Sequence, residues 1–261
     1  MSHLADCTSA YLGYNHPTLQ TLKHLMAVPV LARVESDERK LLAGAHWMVR
    51  GIAKTCSLNN QGQDRKTVSV LLSGWAFRYQ TLGNGKRQIL DFVFAGALFG
   101  FGSGGTYPYG LETVTDCSVA SLPHDQFRRL LAASPALAMQ VVEQISDSEM
   151  RAHDHMTGLG RQSARERIAT LILELASRSS RKELGLNKYT IDLPVTQLMI
   201  GDALGLSNEH VCRVLGKLAK DRVIEVGRHT LKILDPAALT REAGAEMKIP
   251  FPGGTALPFA A

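Results

Sequence analysis

The sequence predicts an α+β protein: an N-terminal antiparallel β-roll, a long helix and a C-terminal winged helix-turn-helix. Three patterns predict it: β-rich runs around a Gly-Asn-Gly turn, a heptad repeat, and two short amphipathic helices followed by a hairpin. The predicted segments are an N-terminal extension (residues 1–24), the roll (25–133), the long helix with a hinge (134–160), the winged helix-turn-helix (161–235) and a flexible tail (236–261).

The roll is predicted from two β-rich runs, residues 68–82 and 87–94, which flank Gly83-Asn84-Gly85. Asn-Gly supplies the positive φ angles of a tight hairpin, so the two runs should pair. A glycine-rich loop follows, and residues 111–122 read as further short strands. Such a succession is typical of a small antiparallel barrel or roll.

The glycine-rich loop also offers an enzymatic alternative. Gly100, Gly102 and Gly105 satisfy the G-x-G-x-x-G pattern, which in a nucleotide-binding enzyme opens a helix that holds pyrophosphate. Here Thr106-Tyr-Pro-Tyr-Gly follows, which is poor helix material. No Ser-His-Asp or paired-carboxylate arrangement is recognisable from spacing, so we predict no catalytic residues and no enzyme.

The long helix begins with Ser134 as N-cap and Pro135 at its first position. Its heptad spacing suggests a seam between two subunits, whereas a helix packed on its own roll is the alternative, because Glu149 and the alanines weaken a zipper. Gly158 and Gly160 interrupt helix propensity and are read as a hinge. After Ala138, the predicted dimer interface is Val142, Ile145, Glu149, Ala152, Met156 and Leu159.

The helix-turn-helix is predicted from caps and apolar spacing. Thr196 caps a first helix that Gly205 ends, and Ser207 caps a second. The apolar positions are Met199, Ile200, Ala203 and Leu204 in the first helix, then Val211, Val214, Leu215 and Leu218 in the second. A structural helical hairpin without DNA contact is the alternative reading.

Polar residues occupy the other side of the second helix, near its N-terminus. Glu209, Cys212 and Arg213 are spaced i, i+3, i+4, and Lys217 lies one turn further. A helix in a major groove reads bases with that part of its face. Residues 223–226 and 230–234, joined by Gly227-Arg228-His229, read as the wing hairpin.

Charge is concentrated in this segment. Residues 161–234 hold thirteen Lys and Arg against eight Asp and Glu, which equals the +5 surplus of the whole chain. A local basic excess suits contacts to the phosphates of double-stranded DNA.

Composition restricts the remaining classes. With 261 residues and 45% hydrophobic residues the chain can bury two cores. No apolar run approaches the roughly twenty residues that cross a bilayer, and no signal layout opens the chain, so we expect a cytoplasmic protein without a membrane partner. The scattered cysteines Cys7, Cys56, Cys117 and Cys212 predict neither a structural metal site nor a disulfide framework.

In this order of elements, residues 25–235 resemble the Crp/Fnr superfamily of transcription regulators. The most specific parts are residues 163–175, similar to the first helix of the family's DNA-binding domain, and residues 203–215. The Glu209, Cys212 and Arg213 positions resemble the FixK-like branch most, in which cysteine takes that place. The resemblance implies a cyclic-nucleotide-binding-like roll, a homodimer, double-stranded DNA as ligand and RNA polymerase as partner.

The resemblance also implies a palindromic operator with TTGA half-sites. Arg213 can donate two hydrogen bonds to guanine, and Glu209 can accept one from cytosine. Cys212 suits packing near a thymine methyl, and its oxidation is expected to weaken DNA binding; the alternative is a cysteine that only packs. The predicted DNA-binding residues are Ser207, Asn208, Glu209, Cys212, Arg213 and Lys217.

No cofactor is predicted for the roll. Members that bind cyclic AMP place an arginine in the roll's loop, whereas no Lys or Arg occurs here between Arg87 and Arg128, so we expect no cyclic AMP binding. Only Cys7 lies where an iron–sulfur cluster needs several cysteines. Haem remains an alternative, with axial ligands offered by His3, His16, His24, His153 and His155.

Overall fold

The computed structural model describes residues 12–15, 40, 42, 44–102, 104–179, 181–185 and 188–244. Nearly all of the predicted N-terminal extension lies outside these residues, as do Cys7, the three N-terminal histidines and the tail beyond residue 244. The chain forms two compact units, residues 1–86 with 90–152, and residues 87–89 with 153–261.

The first unit contains the predicted antiparallel roll. One sheet has the order β1-β2-β9-β4-β7 and the other the order β3-β8-β5-β6. The strands are β1 Leu12–Asn15, β2 Met48–Ile52, β3 Ser57–Asn59, β4 Thr67–Ser73, β5 Trp75–Thr81, β6 Arg87–Phe94, β7 Leu98–Phe99, β8 Gly110–Thr113 and β9 Cys117–Pro123.

The predicted hairpin is present, but the run at residues 68–82 is two strands rather than one. It breaks at Gly74, whose φ is +90° and where a Cβ would lie 2.4 Å from the Asp116 carbonyl oxygen. Only glycine fits there. β4 therefore enters one sheet and β5 the other, and β5 pairs with β6 across the Gly-Asn-Gly turn. Alternation alone could not reveal the change of sheet.

Two helices follow the roll, α1 (His124–Ala133) and α2 (Pro135–Arg161). As predicted, Ser134 caps α2: its Oγ accepts a hydrogen bond from the Leu137 N–H at 3.1 Å. The helix is not interrupted at the predicted hinge, because α2 continues through Gly158 and Gly160. Gly158 is buried, and tertiary packing there outweighs its intrinsic helix cost of about 1 kcal/mol.

The second unit begins with α3, Ala164–Arg178, which starts at a capping box formed by Ser163 and Glu166. A four-stranded sheet of order β10-β11-β13-β12 accompanies the helices. The remaining elements are β10 Arg181–Gly185, β11 Lys188–Asp192, α4 Gln197–Leu204, α5 Asn208–Lys220, β12 Ile224–Val226, β13 Thr230–Ile233 and α6 Pro236–Glu242.

Helix α6 corrects the predicted flexible tail at residues 236–242. Asp235 caps it by accepting from the Ala238 N–H at 2.8 Å, Pro236 is its first residue, and Leu239 is fully buried. Cap, proline and buried leucine are ordinary helix signals that the proline-rich composition further along obscured.

Within the described residues, no helix is long and apolar enough to cross a membrane. The same part of the chain contains no group of three or more His, Cys, Asp or Glu side chains that could hold a metal ion.

Candidate nucleic-acid interface

The turn between α4 and α5 is built by caps and one close approach. Thr196 Oγ1 accepts from the Met199 N–H at 3.2 Å, and Gly205 ends α4 in the left-handed conformation, both as predicted. Ile200, Ala203 and Leu204 are buried as predicted, whereas Met199 is half-buried. Gly201 is buried as well, and a Cβ added to it would lie 2.6 Å from the Leu206 carbonyl oxygen. Only a residue without a side chain lets the turn approach α4 so closely.

Helix α5 carries the predicted two-faced pattern. Ser207 Oγ accepts from the His210 N–H at 3.2 Å, which caps the helix. The four predicted apolar residues Val211, Val214, Leu215 and Leu218 are buried. The predicted DNA-binding residues lie on the open side; Asn208, Glu209, Cys212, Arg213 and Lys217 are exposed, as is Ser207 at the cap.

The charged groups on this face are available to a ligand. Among the described residues, Glu209, Arg213 and Lys217 make no ion pair and no side-chain hydrogen bond. Three other arginines of the same unit are engaged: Arg165 and Arg178 form ion pairs, and Arg167 Nη1 donates to the Leu204 carbonyl oxygen at 2.6 Å. The folded unit therefore holds these polar groups on one exposed face without engaging them itself, as an interface for bases and phosphates requires.

The wing stands beside α5. Val226 pairs with Leu231, and the Gly227 N–H donates to the Thr230 carbonyl oxygen at 2.8 Å to close the turn. Arg228 is exposed in this turn. The sequence interpretation placed Arg228 in the wing but not among the site residues; a cation at the tip of a wing was the available signal.

A network around Arg165 holds this framework together. Its Nε and Nη2 donate to the two carboxylate oxygens of Glu242 at 2.6 and 2.7 Å, and Nη2 also donates to Asp221 Oδ2 at 2.8 Å. The hydrogen bonds from Arg165 to Glu242 lower the pKa of the Glu242 carboxyl group. Since Asp221 ends α5, the network connects α3 and α6 to the C-terminus of the candidate recognition helix.

The three described cysteines differ in accessibility. Cys212 is exposed and lines a groove of about 440 Å³ between α5 and the wing, whereas Cys56 and Cys117 are buried. Burial raises the pKa of the Cys117 thiol to about 11. Cys212 is therefore the accessible thiol of the described chain, and it lies on the predicted DNA-facing side.

The predicted dimer stripe lies on the open side of α2. Val142, Ile145 and Met156 are more than half exposed, and Leu159, Glu149 and Ala152 are also exposed. The residues that pack on the roll are Leu137 and Val141. The alternative reading, in which the stripe covers its own roll, therefore fails.

Two of the haem-ligand candidates lie within the described chain. His153 is exposed, whereas His155 Nε2 lies 2.6 Å from Glu174 Oε2 and is occupied by that contact. Arg178 bonds the other oxygen of the same carboxylate at 2.6 Å. Although burial opposes ionisation, the hydrogen bond from His155 and the charge of Arg178 lower the pKa of Glu174 to about 2.

The glycine-rich loop leads into strand β8 and not into a helix, so the nucleotide-enzyme context is absent. A cation nevertheless contacts the loop, although it lies outside the interval between Arg87 and Arg128 that contains no Lys or Arg. Arg65 donates to the carbonyl oxygens of Phe101 and Gly104, which occupies both terminal nitrogens of its guanidinium group. Sequence distance concealed this contact.

Two domain families match the chain. A model of the cyclic nucleotide-binding domain matches residues 50–134, and a model of the Crp-like helix-turn-helix domain matches residues 166–242. Together with the exposed face of α5, they define a DNA-binding regulator with a roll of the cyclic-nucleotide-binding type.

Related proteins give the family. The transcriptional activatory protein AadR of Rhodopseudomonas palustris is 29% identical over 94% of this chain and 100% of its own length. The transcriptional activator protein FnrL of Cereibacter sphaeroides is 30% identical over 82% of this chain and 88% of its own length. The nitrogen fixation regulation protein FixK of Bradyrhizobium diazoefficiens is 30% identical over 67% of this chain and 73% of its own length.

The structure of FixK2 from Bradyrhizobium japonicum superposes with a TM-score of 0.70, at 26% identity, covering 77% of this chain and 99% of FixK2. The chain belongs to the Crp/Fnr family of DNA-binding transcription regulators, and its likeness to FixK and FixK2 supports the FixK-like branch. The relatives named here are transcription regulators and not enzymes.

Proposed function

We propose that the protein is a homodimeric transcription activator that reads a palindromic operator with TTGA half-sites. The observation that carries the proposal is the unpaired polar face of α5, on which Glu209, Arg213 and Lys217 are exposed together beside the wing. A twofold dimer would place two such faces about one helical turn of DNA apart.

The open stripe of α2 supports the dimer. Its apolar side chains, from Val142 to Leu159, are exposed at heptad spacing, and apolar surface of that extent on one helix is ordinarily covered by a partner. A second copy of the same chain presents the same stripe, so the contact is self-complementary.

Base reading is assigned to Arg213 and Glu209, and phosphate contact to Lys217. The planar guanidinium group of Arg213 matches the two acceptors of guanine, whereas a lysine ammonium is a point charge suited to phosphate. Arg228 at the wing turn is a further phosphate contact in this proposal.

Activation follows from the names of the relatives, since AadR and FnrL are both named as activators. The direct route to activation is contact with RNA polymerase at the promoter, so the polymerase is the proposed protein partner. A DNA-binding adaptor without contact to polymerase is separated from an activator by transcription in vitro with purified polymerase and an operator upstream of a promoter.

Cys212 is proposed as an oxidation-sensitive residue. Hydrogen peroxide converts its thiol to a sulfenic acid and releases water, which places a polar group between Glu209 and Arg213. Cys212 is the reactive choice because Cys56 and Cys117 are buried. The test uses protein that already carries Cys7→Ser. Adding Cys212→Ser should abolish the loss of DNA binding after peroxide treatment, and unchanged peroxide sensitivity would refute the role of Cys212.

We propose that the roll needs neither cyclic AMP nor an iron–sulfur cluster. Arg65, a half-buried cation beside the loop, already donates to two loop carbonyls, which leaves it poorly placed for a phosphate diester. A clear rise in melting temperature with cyclic AMP would overturn this. Haem is the alternative effector, and a Soret band that persists through gel filtration would favour it.

The first experiment is a fluorescence-anisotropy titration of reduced, ligand-free protein with a palindromic TTGA duplex, with a scrambled duplex as control. We expect salt-sensitive binding with a clear preference for the palindrome. Equal affinity for both duplexes would contradict either the proposed half-site or the proposed independence from an effector. The titration is then repeated with haem: a preference that appears points to a haem effector, and equal affinity again contradicts the half-site.

A further inference from the structure

Three residues of α2 face the roll of their own subunit. Leu137 and Val141 are nearly fully buried, with 1% and 3% exposure, and Gln144 is half-buried. Because they are four and three residues apart, they lie on one side of the helix. The dimer stripe begins one position later, at the half-buried Ala138 and the exposed Val142, so the two faces are adjacent and differ by one residue step.

Apolar contacts alone position a helix loosely. Leu137 and Val141 would remain buried through modest rotations of α2, since dispersion and burial are not directional. One residue step corresponds to about 100° of rotation, so even part of a step changes which side chains face a partner. A directional contact is needed to fix the face.

Gln144 supplies that contact through both ends of its amide. Its Oε1 accepts from the Leu98 N–H at 2.8 Å, and its Nε2 donates to the Gly96 carbonyl oxygen at 2.9 Å. Two antiparallel hydrogen bonds to one short stretch of backbone define both the position and the orientation of the side chain.

The backbone at Gly96 and Leu98, to which Gln144 is hydrogen-bonded, is itself fixed by other contacts within the roll. Leu98 pairs with Val70 of β4, and its carbonyl oxygen accepts from Arg78 Nη2 at 3.3 Å. Arg78 in turn forms an ion pair with Asp91 at 3.2 Å, and its guanidinium carbon lies 5.5 Å from the centre of the Tyr109 ring. The two hydrogen bonds of Gln144 are therefore made to a fixed part of the roll.

We propose that Gln144 is a positioning residue that sets the rotation of α2 on the roll and thereby selects the face presented to the second subunit. This inference rests on the proposed homodimer. The mechanism needs no ligand: the directional contact runs from Arg78 through the backbone of Leu98 to Gln144.

Cysteine cross-linking between subunits measures that rotation. In the background Cys7→Ser, Cys212→Ser, single substitutions Val142→Cys and Glu143→Cys are oxidised mildly, and disulfide-linked dimer is followed with time. With Gln144 intact we expect Val142→Cys to cross-link at least about tenfold faster than Glu143→Cys, because Val142 belongs to the stripe. Gln144→Met, which keeps length and helix propensity, should shrink that ratio to within about threefold.

The matched control is Gln140→Met, one turn earlier, where the side-chain amide donates to Glu143 of the same helix. Because Glu143 is the partner of Gln140, this control compares Val142→Cys with Asp147→Cys. Gln140→Met should leave the ratio of these two cross-linking rates as it is in the protein with Gln140. A second variant, Gln144→Glu, keeps an acceptor for the Leu98 N–H but turns a carboxylate oxygen towards the Gly96 carbonyl oxygen, so it should also shrink the ratio to within about threefold. Circular-dichroism melting confirms that each variant is folded.

An unchanged ratio in folded Gln144→Met would overturn the inference while leaving the dimer intact. Sedimentation of the parent protein as a monomer, with no cross-linking at any position, would overturn the proposed dimer and this inference with it. The two failures are therefore distinguishable.

Discussion

Arg165 in the first turn of α3 and Glu242 in the last turn of α6 form a two-pronged ion pair, with nitrogen–oxygen distances of 2.6 and 2.7 Å. Glu242 and Arg165 are about 30% exposed, so solvent screens the pair only in part. The pair fastens the element that follows the wing onto the first helix of the DNA-binding unit.

Removal of Arg165 should loosen this unit. We expect Arg165→Met to lower the free energy of local opening by about 1–2 kcal/mol, which raises amide hydrogen exchange in α3 and α6 by roughly tenfold. The control is Lys232→Met, which breaks the more exposed pair with Glu225 and should cost no more than about 0.5 kcal/mol. Equal exchange in both variants would contradict a structural role for Arg165.

The two cations of α5 should separate base reading from phosphate contact. Arg213→Ala is expected to cost roughly 1–3 kcal/mol on the TTGA duplex and to reduce discrimination at the guanine. Lys217→Ala should weaken specific and scrambled duplexes alike and lower the salt slope by about one. Anisotropy titrations at several salt concentrations measure both. Equal losses on the two duplexes for Arg213→Ala would rule out base reading by this residue.

Glu174 should make the second unit sensitive to acid. Its pKa is about 2 in the folded protein against an ordinary value of 4.5. A depressed pKa contributes stability that is present above pH 4.5 and lost as the pH falls towards 2. The advantage of the wild type over Glu174→Gln should therefore shrink by about 3 kcal/mol across that window.

Urea titrations followed by the backbone NMR signals of α3 measure this difference at each pH. A difference that does not vary with pH would mean that the carboxylate contributes by shape alone.

Two glycines in neighbouring helices should respond oppositely to alanine. At Gly201 a Cβ would lie 2.6 Å from the Leu206 carbonyl oxygen, so Gly201→Ala must displace backbone and should cost about 1–3 kcal/mol. At Gly216 nothing lies within 4 Å, so Gly216→Ala should stabilise α5 by about 0.5–1 kcal/mol through helix propensity. Thermal unfolding of both variants against the wild type checks the two signs.

Much of the interface was predictable because its signals are local. The caps at Thr196 and Ser207, the left-handed Gly205 and the split of α5 into buried and exposed faces depend on residues within one or two turns of each other. The exposed stripe of α2 follows from the same local periodicity. Local backbone chemistry and helical spacing are recorded directly in the order of residues.

Tertiary structure alone decided where chain segments distant in sequence meet. The break at Gly74 depends on Asp116, the buried Gly158 keeps α2 continuous, and α6 is held by Arg165 from seventy-seven residues away. The hydrogen bond between Gln144 and Leu98 and the contact of Arg65 with the glycine-rich loop likewise join segments that are distant in sequence. Such contacts depend on the path of the whole backbone through space, which no pattern within a short window of sequence specifies.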